Sequence, residues 1–297
     1  MVSGDVVKDP PARVFRHQAM ATWFELHLAD GDKKFAAGAA TEAFRLLDHL
    51  EELLSRYREE SEVSIIARLR DGESFIADGV VFDCLARALT LTERTGGAFD
   101  PALGAFADQR RGAGGDGGAR GRLLLDAATL AVTCEGAPVP LDLGAIGKGY
   151  ALDRMVELLR EWGVAGALLV AGGSSVKTLA VGSDGALWWS SSLPDSGMLW
   201  LQNAALGCSG IAVQGAHIID PTTGRPADRH ARAWAVAPDA ADADAFSTAF
   251  MTLPEEVVAG LCRRYQLAAA VQSADGEAVR WLVPPELARH GAVFWAH

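Results

Sequence analysis

The run ADADAFSTAFM, residues 241–251, places Asp244 and Thr248 four residues apart. On a helix that spacing puts both side chains on one face, where a carboxylate and a hydroxyl offer oxygen ligands suited to a hard cation. No cysteine or histidine joins them, so Mg2+ fits better than zinc. Mg2+ needs few protein ligands when substrate phosphates supply the rest, and two side chains suffice. A plainer reading stands beside this one: Asp242 or Asp244 caps a helix and Thr248 is a surface hydroxyl. Neither Asp244 nor Thr248 reads as a core position.

A second constellation is GAIGKGY, residues 144–150. A Walker-type phosphate loop needs glycine at position 142 and a hydroxyl at 149, and the chain has Asp142 and Gly149. The loop nevertheless brings main-chain N–H groups and the Lys148 ammonium to a helix start, where an anion is favoured. A glycine turn with a solvated lysine is the plainer alternative. His217 lies in AHIIDPTTGRP, beside a tight turn marked by Pro221 and Gly224. Its chemistry suits a general base, and equally a hydrogen-bonded structural histidine.

These residues need elements to position them. The order of apolar and polar residues from 13 to 28 predicts an opening strand or hairpin. Residues 37–57 predict a helix with one buried face, and 80–94 a second, stopped at Gly96-Gly97. The stretch 110–122 is rich in glycine and charge and predicts a flexible loop. VPLDL (139–143) reads as a strand, GAIGKG as a loop, and 150–162 as a helix. That helix turns Leu152, Met155, Val156 and Leu159 inward and Asp153, Arg154, Glu157 and Arg160 to water. A strand at 166–173 and short strands to about 234 follow, then helices at 241–251 and 254–265 and a closing hairpin turning at Asp275-Gly276. Strands and helices in irregular order predict an α+β fold.

Composition narrows the chemistry. Lys plus Arg number 27 and Asp plus Glu 38, a net charge of −11 over 297 residues. That balance argues against a nucleic-acid partner. A protein this acidic needs a local cation, a lysine or a metal, to handle phosphates. Cys84, Cys134, Cys208 and Cys262 are scattered and suggest neither a zinc site nor a disulfide framework. The start shows no signal peptide or lipid-attachment cysteine and no segment reads as a membrane span, so the expectation is a cytoplasmic protein as encoded.

Several blocks coincide in order with one family. They are MAT (20–22), LSRYREESEVS (54–64), GGAFDPALG (96–104), LDLGAIGKGYALD (141–153), LLVAGG (168–173), CSG (208–210), HIIDPTTGRP (217–226) and ADADAFSTAF (241–250). From about Arg13 to Tyr265 the chain resembles the FAD:protein FMN transferases, the flavin transferase family also known as thiamine biosynthesis lipoproteins. The resemblance implies one flavin transferase domain spanning 1–297, an α+β fold of two intertwined lobes of mixed sheet and helices, with FAD in the cleft between them. It implies Mg2+-dependent cleavage of the FAD diphosphate, transfer of FMN to a threonine hydroxyl of an acceptor protein, and release of AMP. By position Met20, Tyr57, Ala98, Phe99, Asp100, Asp142, Lys148 and Ile218 match the flavin-site residues. The Ala145 carbonyl, Asp244 and Thr248 match the metal ligands, and His217 the histidine beside the reacting phosphate. His217, directly or through Asp244, would accept the hydroxyl proton, and Phe99 and Tyr57 would offer rings to the substrate. Phe99 in the core, Asp100 shaping a turn and Met20 as packing are the plainer alternatives. The chain departs from the family at Ser174-Ser175-Val176, where an acidic or amide residue is usual, and in the short IAVQGA stretch before His217. Many members are exported lipoproteins. Two other readings share the site: an FAD pyrophosphatase releasing FMN and AMP, and an FAD-binding protein without turnover.

Overall fold

The computed structural model describes residues 13–29, 32–104, 121–180, 187–189, 198–211, 218–276, 278–283 and 295–296. Strands are β1 (Arg13–Ala19), β2 (Thr22–Leu28), β3 (Ser74–Ile76), β4 (Arg122–Asp126), β5 (Ala131–Glu135), β6 (Gly166–Ala171), β7 (Ser175–Ala180), β8 (Leu187–Trp189), β9 (Met198–Leu201), β10 (Ala205–Gly210), β11 (His230–Ala237), β12 (Ala268–Ser273), β13 (Val279–Val283) and β14 (Trp295–Ala296). Helices are α1 (Lys33–Leu54), α2 (Glu62–Ile66), α3 (Gly79–Arg94), α4 (Gly147–Glu161), α5 (Ala240–Phe250) and α6 (Glu255–Tyr265). An eight-stranded sheet runs β1-β2-β6-β7-β10-β11-β12-β13, with two three-stranded sheets, β14-β9-β8 and β3-β5-β4. Every neighbouring pair in the large sheet is antiparallel. The fold is α+β, as the sequence predicts.

The two faces of the large sheet differ in size, and the difference sets how deeply the helices sit. Ala205, Ala233, Ala235 and Ala237 join the core shared with α4 and α5, whereas Leu206, Trp234 and Val236 pack in a second core on the opposite face. Strand alternation produces this sorting, because successive side chains point to opposite faces. α5 matches the small face with its own Ala240, Ala241, Ala243, Ala245 and Ala249. At Gly207 on β10 a Cβ would stand 2.3 Å from the Ala243 carbonyl oxygen, so only glycine lets α5 lie this close. Gly149 on α4 plays the same part, with the Ala240 oxygen 2.1 Å from where its Cβ would be.

Three elements differ from expectation. VPLDL is no strand. Pro138 and Pro140 lack N–H groups to donate to a ladder, and the segment instead docks on the preceding loop, Asp142 N donating to Pro101 O at 2.7 Å and Gly104 N to Pro140 O at 2.9 Å. The helix expected from 150 begins at Gly147, so Lys148 stands in its first turn rather than in a loop. Asp153, expected to face water, is buried. Of the glycine-rich stretch 110–122, residues up to 120 lie outside the described residues, and Arg122 opens β4. The opening and closing hairpins form, β1 with β2 and β12 with β13. Among the described residues no helix is long and apolar enough to cross a membrane.

Gly207→Ala is expected to cost about 1–3 kcal/mol, as overpacking does in a close-packed core, because either β10 or α5 must retreat. Denaturant unfolding measures it; a cost below about 0.5 kcal/mol, the size of an ordinary surface change, would contradict the packing argument.

Candidate active site

The site grows from the meeting of α4 and α5. A helix start leaves N–H groups without partners inside the helix, and Ile146 at the N-cap of α4 provides no side-chain cap. The Gly149 N–H donates instead to Asp244 Oδ2 of α5 at 2.8 Å. The return gift runs from α4: Asp153, one turn beyond Gly149, accepts from Ala240 N at 2.8 Å and Ala241 N at 2.9 Å and so caps α5. Each helix thus has its first amides satisfied by a carboxylate of the other.

Asp244 is 5% exposed. Burial pushes its carboxyl up to about 6 against the pull of the Lys148 ammonium, the Ser175 hydroxyl and the Gly149 N–H, with Asp153 adding to the rise. Ser175 acts through its dipole, because its buried Oγ has no partner at hydrogen-bond geometry. Thr248, one turn further along α5, donates to Asp244 O at 3.1 Å and stands 3.0 Å from Ser209 Oγ, which also lies 2.9 Å from Ser247 Oγ. The plainer reading of this helix therefore does not hold: Asp239 is the N-cap residue, Asp244 is buried and Thr248 is half-buried.

These donors suit a hard cation. Among the described residues no cluster of three or more His, Cys, Asp or Glu could hold a metal, so a cation here would rest on one carboxylate and neutral oxygens. A buried carboxylate whose pKa is raised, next to an unpartnered buried hydroxyl, is a place where added positive charge stabilises the ionised form. Ala145 is half-buried in the turn that leads into α4, two residues before Gly147.

A second group surrounds Asp142, two residues before that turn. Arg56 pairs with Asp142 Oδ2 at 2.7 Å and donates to Gly104 O at 3.0 Å, while Asp142 Oδ1 accepts from Gly144 N at 2.8 Å. Arg56 therefore joins the end of α1, the 98–104 segment and the turn before Lys148. Tyr57 beside it is 65% exposed and presents its ring outward. Phe99 is in the core at 2% exposure, with Ala98 buried beside it, so the ring-face role expected of Phe99 is withdrawn and only its main chain can meet a ligand. Asp100 accepts from Ala102 N at 2.8 Å and shapes the turn at Pro101.

Met20 and Ala21 form the two-residue turn between β1 and β2, both at positive φ (48° and 57°). That conformation suits a tight hairpin but strains non-glycine residues. The turn lies against the β6–β7 turn, where Gly172 N donates to Trp23 O at 2.9 Å, and Ser175 follows at once. Ile218 is buried in the loop closed by Ala227 N donating to Ile218 O at 2.9 Å; no hydrogen bond or ion pair described here ties it to Asp244. His217 lies outside the described residues. Cys208 is no nucleophile, since burial pushes its thiol up to about 12 despite Arg232, with Asp244 adding to the rise and Lys148 opposing it.

The sequence pattern points to no site role for Arg56 or Lys177, places Asp153 in water, and marks Ser175 only as a departure from the family. Lys177 carried a signal: a lone charge inside the apolar strand SVKTLA marks a buried partner.

Residues 20–271 match the profile described as the ApbE family, and the chain belongs to that family. It is 30% identical to the FAD:protein FMN transferase of Treponema pallidum over 76% of this chain and 74% of that one. It is 24% identical to the FAD:protein FMN transferase of Salmonella typhimurium, covering 93% and 88% respectively. The flavinyl transferase ApbE of Pseudomonas stutzeri, in its apo form, shares the fold at a TM-score of 0.77 and 23% identity, over 93% of this chain and 97% of that one.

Because burial holds the folded Asp244 carboxyl at about 6, above the ordinary carboxylate range near 4, the metal-free protein loses stability as pH rises through about 6 and keeps it below about 4. Asp244→Asn can still accept from Gly149 without that charge. In EDTA the melting temperature of the variant minus that of the wild type is expected to grow between pH 5 and 7; a flat difference would contradict the assignment.

Proposed function

We propose that the protein is a Mg2+-dependent FAD:protein FMN transferase, which cleaves the FAD diphosphate and attaches FMN to a threonine hydroxyl of a partner protein with release of AMP. The observation that carries this reading is the buried Asp244 carboxylate beside Lys148 at the start of α4, in a chain of this family. FAD would lie in a cleft between two lobes, its diphosphate at the helix start where the amide dipoles and the Lys148 ammonium favour an anion. Met20, Tyr57, the main chain of Ala98 and Phe99, Asp100, Asp142 and Ile218 would hold its flavin and nucleotide parts.

Asp244, Thr248 and the Ala145 carbonyl would hold the Mg2+. Held there, the ion would supply positive charge to offset the negative charge that develops as the diphosphate is cleaved. Lys148 adds a fixed positive charge that needs no reorganisation as the bond breaks. The acceptor threonine Oγ bonds to the FMN phosphorus, the P–O bond to the AMP phosphate breaks, and the threonine proton passes to His217. The tie between Arg56 and Asp142 keeps the turn before Lys148 in place throughout.

The test is to incubate the protein with FAD, Mg2+ and a threonine-bearing acceptor protein and to identify products by mass. FMN on the threonine with an equal amount of AMP is expected. Free FMN and AMP without an adduct would make water the acceptor, and intact FAD would overturn an enzymatic reading. His217→Ala is expected to slow transfer about 100-fold or more while FAD affinity stays within about twofold, the signature of a proton acceptor rather than a binding residue. Equal losses in both would contradict that role.

A further inference from the structure

α5 is tethered at each of its first three turns. Ala240 and Ala241 donate to Asp153, Asp244 accepts from Gly149, and Thr248 meets Ser209. The first tether is the unusual one. Asp239, the helix's own N-cap residue, makes no side-chain cap and turns instead to Arg87, whose Nη2 lies 2.7 Å from Asp239 Oδ2 and 2.9 Å from Asp242 Oδ1. The cap comes from another helix, and it is a buried carboxyl that burial pushes above the ordinary range against the pull of the Lys177 ammonium.

The counter-charge for Asp153 rises from the sheet. Lys177 of β7, 4% exposed, lies 3.2 Å from Asp153 Oδ1, 3.7 Å from Asp239 Oδ1 and donates to the Pro238 carbonyl. Two residues back on the same face of β7 is Ser175, whose unpartnered Oγ acts on Asp244. One strand therefore pairs with Asp153 through Lys177 and carries, two residues before it, the Ser175 hydroxyl whose dipole acts on Asp244. A solvated N-cap would hold a helix end as well, and taking a Lys–Asp pair out of water is costly, so stability alone gives little reason for the pair. Specificity of position gives one: Asp153 and Lys177 set where the first turn of α5 sits over β7, and Asp244 follows one turn later.

We propose that Asp153 and Lys177 are positioning residues for the cation site, fixing the depth and rotation of α5 so that the Asp244 carboxylate and the Thr248 hydroxyl converge. The inference rests on the function proposed above for Asp244 and Thr248. It requires that losing the pair, which shifts α5, weakens cation binding more than it weakens metal-free FAD binding, because the flavin contacts proposed above lie on segments other than α5.

The test uses the full chain, with Mn2+ as the probe. Mn2+ affinity is read by electron paramagnetic resonance, FAD affinity in EDTA by flavin fluorescence, and folding by circular dichroism. Asp153→Asn and Lys177→Gln are each expected to weaken Mn2+ binding about 10-fold or more, as loss of outer-shell support does, with FAD affinity within about twofold. The double variant should lose little more than the worse single, because the two side chains act as one unit. Lys177→Arg, which keeps the charge, should recover part of the loss. Unchanged Mn2+ affinity in a folded single variant would overturn the proposal, and so would equal losses of Mn2+ and FAD. If Asp153→Asn fails to fold, Lys177→Gln decides by the same two outcomes. Wild-type protein that binds FAD but no Mn2+ would overturn the metal assignment of Asp244 and this inference together, whereas wild-type binding with unaffected variants would sink this inference alone.

Discussion

The structure turns on one hydrogen bond, from the Gly149 N–H at the start of α4 to the buried carboxylate of Asp244 on α5. It satisfies an amide that the helix itself cannot, and it holds a negative charge where solvent does not reach. Gly149 N–H, Lys148 and Ser175 together do not offset the cost of burial, and the carboxyl stays above its ordinary range. Burial disfavours the charged form of this group, and a cleft carboxyl perturbed in that way is a candidate for a functional role.

Everything around that bond serves to bring two helices unusually close. Glycine at 149 and 207 removes the Cβ atoms that would strike α5, and alanines on both the helix and β10–β11 keep the gap narrow. The large side chains go to the other face of the sheet, where Trp234, Leu206 and Val236 build a separate core. Close packing makes the position of α5 discrete, because a dense interior does not deform gradually. The Arg56–Asp142 ion pair does for the loops what the glycines do for the helices, locking the turn before Lys148 to the 98–104 segment.

Much of this was legible in the sequence. The 3.6-residue periodicity placed α1 and α4 to within a few residues, α3 was read up to its Gly96-Gly97 stop, and the closing hairpin was visible from its Asp275-Gly276 turn. The spacing of Asp244 and Thr248 marked one face of a helix before any coordinates. The failures have physical causes. Asp153 read as solvated because a charge on an amphipathic helix usually is, and nothing local shows that a second helix end lies against it. VPLDL has the apolar content of a strand, but Pro140 and the preceding Pro138 lack the donors that pairing needs. Phe99 read as a possible ring partner because sequence cannot tell a buried aromatic from a presented one. Arg56 and Lys177 act across 86 and 24 residues of chain respectively, a separation no local pattern carries.

The proposed function requires a divalent cation held by Asp244, Thr248 and the Ala145 carbonyl. Anomalous diffraction from crystals of the protein with FAD and Mn2+ tests it most directly. The account requires a single strong peak within bonding distance of Asp244 and Thr248, beside the FAD diphosphate at the start of α4. A peak elsewhere, or FAD bound with its diphosphate away from Lys148, would contradict it.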